Sequence, residues 1–182
     1  MPKNIASLFS GCGGLDLGFS GGFVFRNTVC ERLDTNIVFA NDFDRDAWAC
    51  YNNNELLTND GVHSRLGDIR EIPTNEIPNF DILLAGFPCQ PFSNAGNRKG
   101  VHDDNGRGTL FEECERIIRE KIEVGHRPEA FLFENVRGIL SSKMQDGVTT
   151  VPDEIHKRME NLGYQVSMKL VCSSDYGVPQ RR

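Results

Sequence analysis

The chain lacks any apolar stretch long enough to cross a membrane, any Cys-x-x-Cys or Cys/His pair at zinc-ligand spacing, any excess of basic residues and any internal repeat. The first absence excludes a transmembrane helix, and the apolar start at Ile5 to Phe9 is broken by glycines and Asp16 too soon for a secretory signal. The second leaves no zinc-ligand framework, so no metal site is expected. The six cysteines, without a signal and in a chain of this size, read as reduced thiols rather than as a disulfide framework. With 20 Lys and Arg against 26 Asp and Glu the net charge is −6, which excludes a surface that grips nucleic-acid phosphates on its own. Arg98, Lys99, Arg107, Arg181 and Arg182 are the residues available for a local basic face. What is present, 38% hydrophobic and 25% charged residues in 182, is an ordinary globular composition and enough chain for one domain with a real core. A soluble, intracellular protein is expected.

Hydrophobic periodicity predicts strands over Asn4 to Phe9, Asn36 to Ala40, Asp81 to Ala85, Ala130 to Phe133 and Tyr164 to Val171. It predicts helices from Leu15, over Asp44 to Asn53, over Leu110 to Glu123 and over Pro152 to Leu162. Gly67-Asp68-Ile69 forms a turn after a short strand-like run, and Gly86 to Gly108 is a long polar loop. Strands alternating with helices imply an α/β fold, a doubly wound and mostly parallel sheet covered on both faces. Ligands of such sheets bind beyond the carboxyl ends of the strands. Gly11, Gly13, Asp42, Asp68, Cys89 and Glu134 each follow a strand or strand-like run, so one mouth of the sheet is expected to carry the chemistry.

Gly86-Phe87-Pro88-Cys89-Gln90-Pro91-Phe92-Ser93 places a thiol on a stiff loop between two prolines, after a buried strand. Taken alone, such a cysteine is more often a small packed hydrophobe than a nucleophile. Phe9-Ser10-Gly11-Cys12-Gly13-Gly14 lets backbone approach a ligand closely, or simply makes a tight strand-to-helix turn. Asp42 is placed either to take ribose hydroxyls or to cap a helix together with Asp44. Phe43 either stacks on an adenine or packs in the core, and Asp68 either takes an adenine amino group or closes a turn. Together these residues favour an adenosine-bearing cofactor.

These elements, with Asn41-Asp42-Phe43-Asp44, Gly67-Asp68-Ile69, Arg107-Gly108-Thr109-Leu110, Glu134-Asn135-Val136 and Gln180-Arg181-Arg182, occur in the order and rough spacing of DNA (cytosine-5) methyltransferases. The sequence resembles that family over nearly its whole length. The Pro-Cys-Gln and Glu-Asn-Val elements are specific, whereas the glycine loop and Gly-Asp-Ile are weak alone. The resemblance implies a Rossmann-like fold that uses S-adenosylmethionine and releases S-adenosylhomocysteine.

Carbon 5 of cytosine is a poor nucleophile, and a thiolate adding to carbon 6 makes it an enamine able to take a methyl group. By the resemblance Cys89 is that nucleophile and Glu134 protonates or hydrogen-bonds ring nitrogen 3, a role that desolvation of its carboxyl would favour. Phe9, Ser10, Gly11, Gly13, Ile69 and Pro88 would line the cofactor. Asp42 would take its ribose, Phe43 its adenine ring and Asp68 the amino group, while Leu110 would close the methionine side. Gln90, Ser93, Arg107, Asn135 and Gln180 would serve the substrate, a cytosine flipped out of double-stranded DNA. In the family the last element is Gln-x-Arg-x-Arg, so Arg182 matches the first arginine, near the cytosine carbonyl, and the second is not represented.

Residues 1–182 therefore read as one incomplete catalytic and cofactor-binding domain, without the family's target-recognition domain. The expectation is a prokaryotic restriction–modification enzyme, cytoplasmic and at the nucleoid when acting, inactive as this chain alone and completed by a C-terminal part or a second subunit. No membrane partner is implied. A tRNA cytosine-5 methyltransferase and a non-catalytic cofactor-binding module are the alternatives. A nicotinamide enzyme is disfavoured because the glycine pattern is not Gly-x-Gly-x-x-Gly.

Overall fold

The computed structural model describes residues 1–58, 61–88, 110–144 and 146–180. They form two compact units, residues 1–87 with 116–134, and residues 88–115 with 135–182.

The first unit is built on a five-stranded parallel sheet. Its strands are β1 (Lys3–Leu8), β4 (Thr35–Asp42), β5 (Arg65–Leu66), β6 (Ile82–Ala85) and β7 (Ala130–Phe133), in the order β5-β4-β1-β6-β7. β1 is central, and Ile5, Ala6 and Leu8 are almost fully buried, as expected for a strand covered on both faces. Ile5, Ile37, Ala40, Leu84, Tyr51 and Leu57 form a core cluster, the last two supplied by α2 (Arg45–Asn52) and α3 (Glu55–Thr58). Phe19, Leu15 and Leu17 of α1 (Gly14–Ser20) pack against the same cluster.

α2 begins where the sequence predicts, because Asp44 accepts the N–H groups of Asp46 and Ala47, both at 2.9 Å. α4 (Leu110–Glu123) matches its expected limits, with Cys114, Ile117 and Ile118 fully buried on one face. Its Arg116 guanidinium donates to the Thr74 hydroxyl at 2.8 Å and to the Ile69 and Ile72 carbonyls at 3.4 Å, which fixes the segment following Asp68. The buried Lys121 ammonium does the same further along, donating to the Ile77 carbonyl at 2.6 Å. A hairpin of β2 (Phe23–Phe25) and β3 (Thr28–Cys30) stands apart from the main sheet.

In the second unit α5 (Val151–Asn161) starts on a Thr150 cap, with proline in its first turn. Arg158 of α5 pairs with Glu112 at 3.1 Å and with Glu115, and its guanidinium lies over the Phe111 ring. The expected strand over Tyr164 to Val171 is a correction. The segment is irregular, with Met168, Leu170 and Val171 more than half exposed. Its alternating pattern has no strand among the described residues to pair with, and a strand without a ladder partner leaves its backbone groups to solvent.

Candidate functional site

The turn after β1 carries unusual backbone. Phe9 has φ +55°, Gly11 +55° and Gly13 +82°. Gly13 is obligatory on two counts, since its φ is left-handed and a Cβ there would lie 2.2 Å from Leu57 Cδ1 and 3.0 Å from the Tyr51 ring. Gly11 differs, because a Cβ there meets nothing within 4 Å, so its φ and not its neighbours selects glycine.

Asp42, at the end of β4, holds this turn. Its Oδ2 accepts the Gly11 N–H at 2.8 Å and its Oδ1 accepts the Asp44 N–H at 2.9 Å. Asp42 itself is buried, yet each carboxylate oxygen keeps a further acceptor site. The Ser10 N–H donates to the Asn41 carbonyl at 3.0 Å, and the Ser10 hydroxyl lies 3.3 Å from that of Ser64. Next along the chain, Phe43 is 65% exposed and does not pack in the core.

Asp68 follows β5 and caps a single 3-10 turn over Ile69–Glu71 by accepting the Arg70 N–H at 3.0 Å. It also pairs with the Arg70 guanidinium, which holds its carboxyl below the ordinary value. Ile69 is buried. Glu134 follows β7, its N–H donating to the Ala85 carbonyl at 2.9 Å. A Cβ built on Gly86 would stand 3.5 Å from Glu134 Oε2 and 3.8 Å from the Phe9 carbonyl, so the ends of β1, β6 and β7 converge. Glu134 is exposed among the described residues.

Phe9, Ser10, Gly11, Gly13, Asp42, Phe43, Asp68, Ile69 and Glu134 thus all lie at the carboxyl ends of the sheet in the first unit. Pro88, Leu110, Asn135 and Gln180 belong to the second unit. There Leu110 is buried at the start of α4, Pro88 is half-buried, Asn135 accepts the Val136 N–H at 2.9 Å, and Gln180 is exposed. Cys89, Gln90, Ser93, Arg107 and Arg182 lie outside the described residues, as do the other members of the suggested basic face, Arg98, Lys99 and Arg181.

Sequence reasoning missed two supports. Asn41 is buried and its amide donates to the carbonyls of Arg65 at 3.0 Å and Gly67 at 2.9 Å, stitching the Asp68 turn to β4. Asp16 is buried beneath the glycine turn, where it accepts the Ser7 hydroxyl at 2.5 Å. Asp16 Oδ2 and the Tyr51 hydroxyl are buried without a hydrogen bond of ordinary geometry. Burial raises both groups above their ordinary values, and the Asp16 charge pushes the tyrosine further. The signal for Asn41 was its place beside Asp42; for Asp16 it was an acid within an otherwise apolar helix face.

With this geometry in place, comparison with known proteins is decisive. The family model for C-5 cytosine-specific DNA methylases matches residues 3–182. The chain belongs to that family. Among curated family members, it is 41% identical over its whole length to the type II methyltransferase M.BanI of Aneurinibacillus aneurinilyticus, and covers 37% of that protein. It is 39% identical to M.FnuDI of Fusobacterium nucleatum, with 98% of the chain matched to 44% of the relative. The chain therefore spans less than half the length of these type II methyltransferases. The fold is that of the Schizosaccharomyces pombe Dnmt2 methyltransferase, with a TM-score of 0.68 at 24% identity over 99% of this chain and 48% of that one.

Proposed function

We propose that the protein containing this chain transfers a methyl group from S-adenosylmethionine to carbon 5 of cytosine in duplex DNA, with Cys89 as nucleophile. The observation that carries this reading is the turn from Phe9 to Gly13, held by Asp42 beside an uncovered Phe43 ring. The residues present suit an adenosine. No side-chain atom would meet a Cβ at Gly11 or Gly14, Asp42 keeps acceptor sites for ribose hydroxyls, and Phe43 offers an open aromatic face. Asp68 would accept the adenine amino group beside its Arg70 pair, and Phe9, Ser10, Gly11, Gly13, Ile69, Pro88 and Leu110 would line the rest. When bound, the cofactor would supply an electrophilic methyl group.

The Cys89 thiolate adds to carbon 6 of an extruded cytosine and leaves once a base has taken the carbon-5 proton. Glu134 hydrogen-bonds ring nitrogen 3 during the addition, and since it is exposed here, the bound base itself must desolvate it. Gln180 and Arg182 serve the cytosine carbonyl, while Gln90, Ser93, Arg107 and Asn135 position the nucleotide and its phosphates. The acidic balance of the chain assigns the grip on duplex DNA to further residues or to a second subunit. Such an enzyme works in the cytoplasm, at the nucleoid.

The test is methyl transfer by the full gene product containing residues 1–182, offered duplex DNA or tRNA with labelled cofactor. Labelled 5-methylcytosine in DNA is expected. Label in tRNA alone moves the substrate to RNA, and no label in either with intact cofactor binding makes the fold a binding module.

A further inference from the structure

The backbone on both sides of Asp68 is fastened. The Gly67 N–H donates to the Asp42 carbonyl at 3.0 Å, and the Gly67 carbonyl accepts the Asn41 amide at 2.9 Å. On the other side the Ile69 carbonyl accepts the Arg116 guanidinium at 3.4 Å. The Asp68 carboxylate itself meets Arg70 in a fork. Arg70 Nε lies 3.0 Å from both carboxylate oxygens, Nη2 donates to Oδ2 at 2.5 Å, and the backbone N–H donates to Oδ1 at 3.0 Å. The backbone bond alone caps the 3-10 turn and needs no particular side chain at position 70. The guanidinium adds what the cap does not require, a fixed plane for the carboxylate. A carboxylate offers about four acceptor positions and no donor, and the three donors of Arg70 leave about one of them. The Asp68 side chain is 30% exposed, so that position is open to a ligand. It matches an N–H and opposes an oxygen.

We propose that Arg70 is a specificity-determining residue, orienting Asp68 so that the site takes a purine with a 6-amino group and rejects one with a 6-oxo group. The inference rests on the cofactor reading of this site and adds to it the residue that sets the choice of base. An amino group at carbon 6 donates into the remaining acceptor position. An oxo group there sets its lone pairs against a carboxylate that can neither turn away nor offer a hydrogen, and both lose water without a replacement bond. Without the guanidinium the carboxylate turns about its Cβ–Cγ bond, or takes a proton and donates it, and either purine is tolerated. Arg70 thus acts through Asp68, as a positioning residue. The pair is part-exposed, at 41% for Arg70, so replacing the arginine should leave the folded state nearly as stable.

The experiment is equilibrium dialysis of the full gene product with S-adenosylhomocysteine and with its 6-oxo counterpart, S-inosylhomocysteine. Wild type, Arg70→Met and Arg70→Lys are compared, with thermal unfolding to show that each variant is folded. Wild type should favour the adenosine compound on the order of a hundredfold. Arg70→Met, which keeps the apolar stem, should bring that ratio to about tenfold or less. Arg70→Lys keeps the charge without the fork and should restore only part of the ratio. Equal weakening of both ligands in Arg70→Met, with the ratio kept or raised, marks a merely structural residue and overturns the inference while the cofactor reading stands. Full recovery of the ratio by lysine overturns the role of the fork, and a wild type that binds both compounds alike overturns the selectivity. Wild type that binds neither compound overturns the cofactor reading, and this inference with it.

Discussion

Asp42 Oδ2 accepts the Gly11 N–H at 2.8 Å, joining the turn after β1 to the end of the neighbouring β4. The same carboxylate takes the Asp44 N–H, so one buried side chain sets both the glycine turn and the start of α2. Asp42→Ala leaves two N–H groups without their charged acceptor and is expected to cost about 2–4 kcal/mol. Thermal unfolding should show this loss, and dialysis with S-adenosylhomocysteine a weakening on the order of a hundredfold, because the turn and the ribose acceptor go together. Asp42→Asn, which keeps one oxygen, should fall between.

Gly13→Ala tests the packing of the same turn. A Cβ must displace Leu57 Cδ1, 2.2 Å away, in a residue held at φ +82°. The expected destabilisation is about 2–4 kcal/mol, read from the denaturant midpoint. Gly11→Ala meets no neighbour and should cost only its backbone strain, about 1–2 kcal/mol.

In the second unit Arg158 faces two carboxylates and an aromatic ring and is only a quarter exposed. Arg158→Met keeps its apolar stem but removes the positive charge facing buried Glu115, and should cost about 2–3 kcal/mol in urea unfolding. Lys3→Met, which removes the exposed pair with Glu129, should leave the midpoint unmoved within error.

Asp16 has a pH signature. Its carboxyl is raised in the folded state chiefly by burial, so folding favours its protonated form. That contribution is fully present below the unfolded value, about 3.9, and is lost as pH rises through the folded value. Asp16→Asn should flatten the stability profile on that side. If wild type and Asp16→Asn run parallel across this range, Asp16 does not titrate on folding.

Much of the fold was legible because it rests on strong periodic signals. α4 and β7 have the limits read from the sequence, since Cys114, Ile117 and Ile118 mark a helix face and Ala130–Phe133 is a bounded apolar run. The β2–β3 hairpin was missed. Its turn uses Arg26 and Asn27, both at positive φ, without the glycine that usually signals such a turn, and its Val24 and Val29 face solvent. The Tyr164 to Val171 error has the opposite cause, an alternation read as a strand where no partner strand stands among the described residues. Asp42 was legible as an acid at the end of a strand but not as the tether of Gly11, because a bond between residues 31 apart is a property of the sheet register.

The central claim is that a thiol of this chain bonds covalently to cytosine. Duplex DNA carrying 5-fluorocytosine, incubated with S-adenosylmethionine and the full gene product, tests it directly, because fluorine cannot be removed as a proton and the adduct persists. The account predicts a denaturation-resistant protein–DNA complex mapped to Cys89 and abolished by Cys89→Ser. A complex that survives Cys89→Ser, or methylation without any trapped complex, would contradict it.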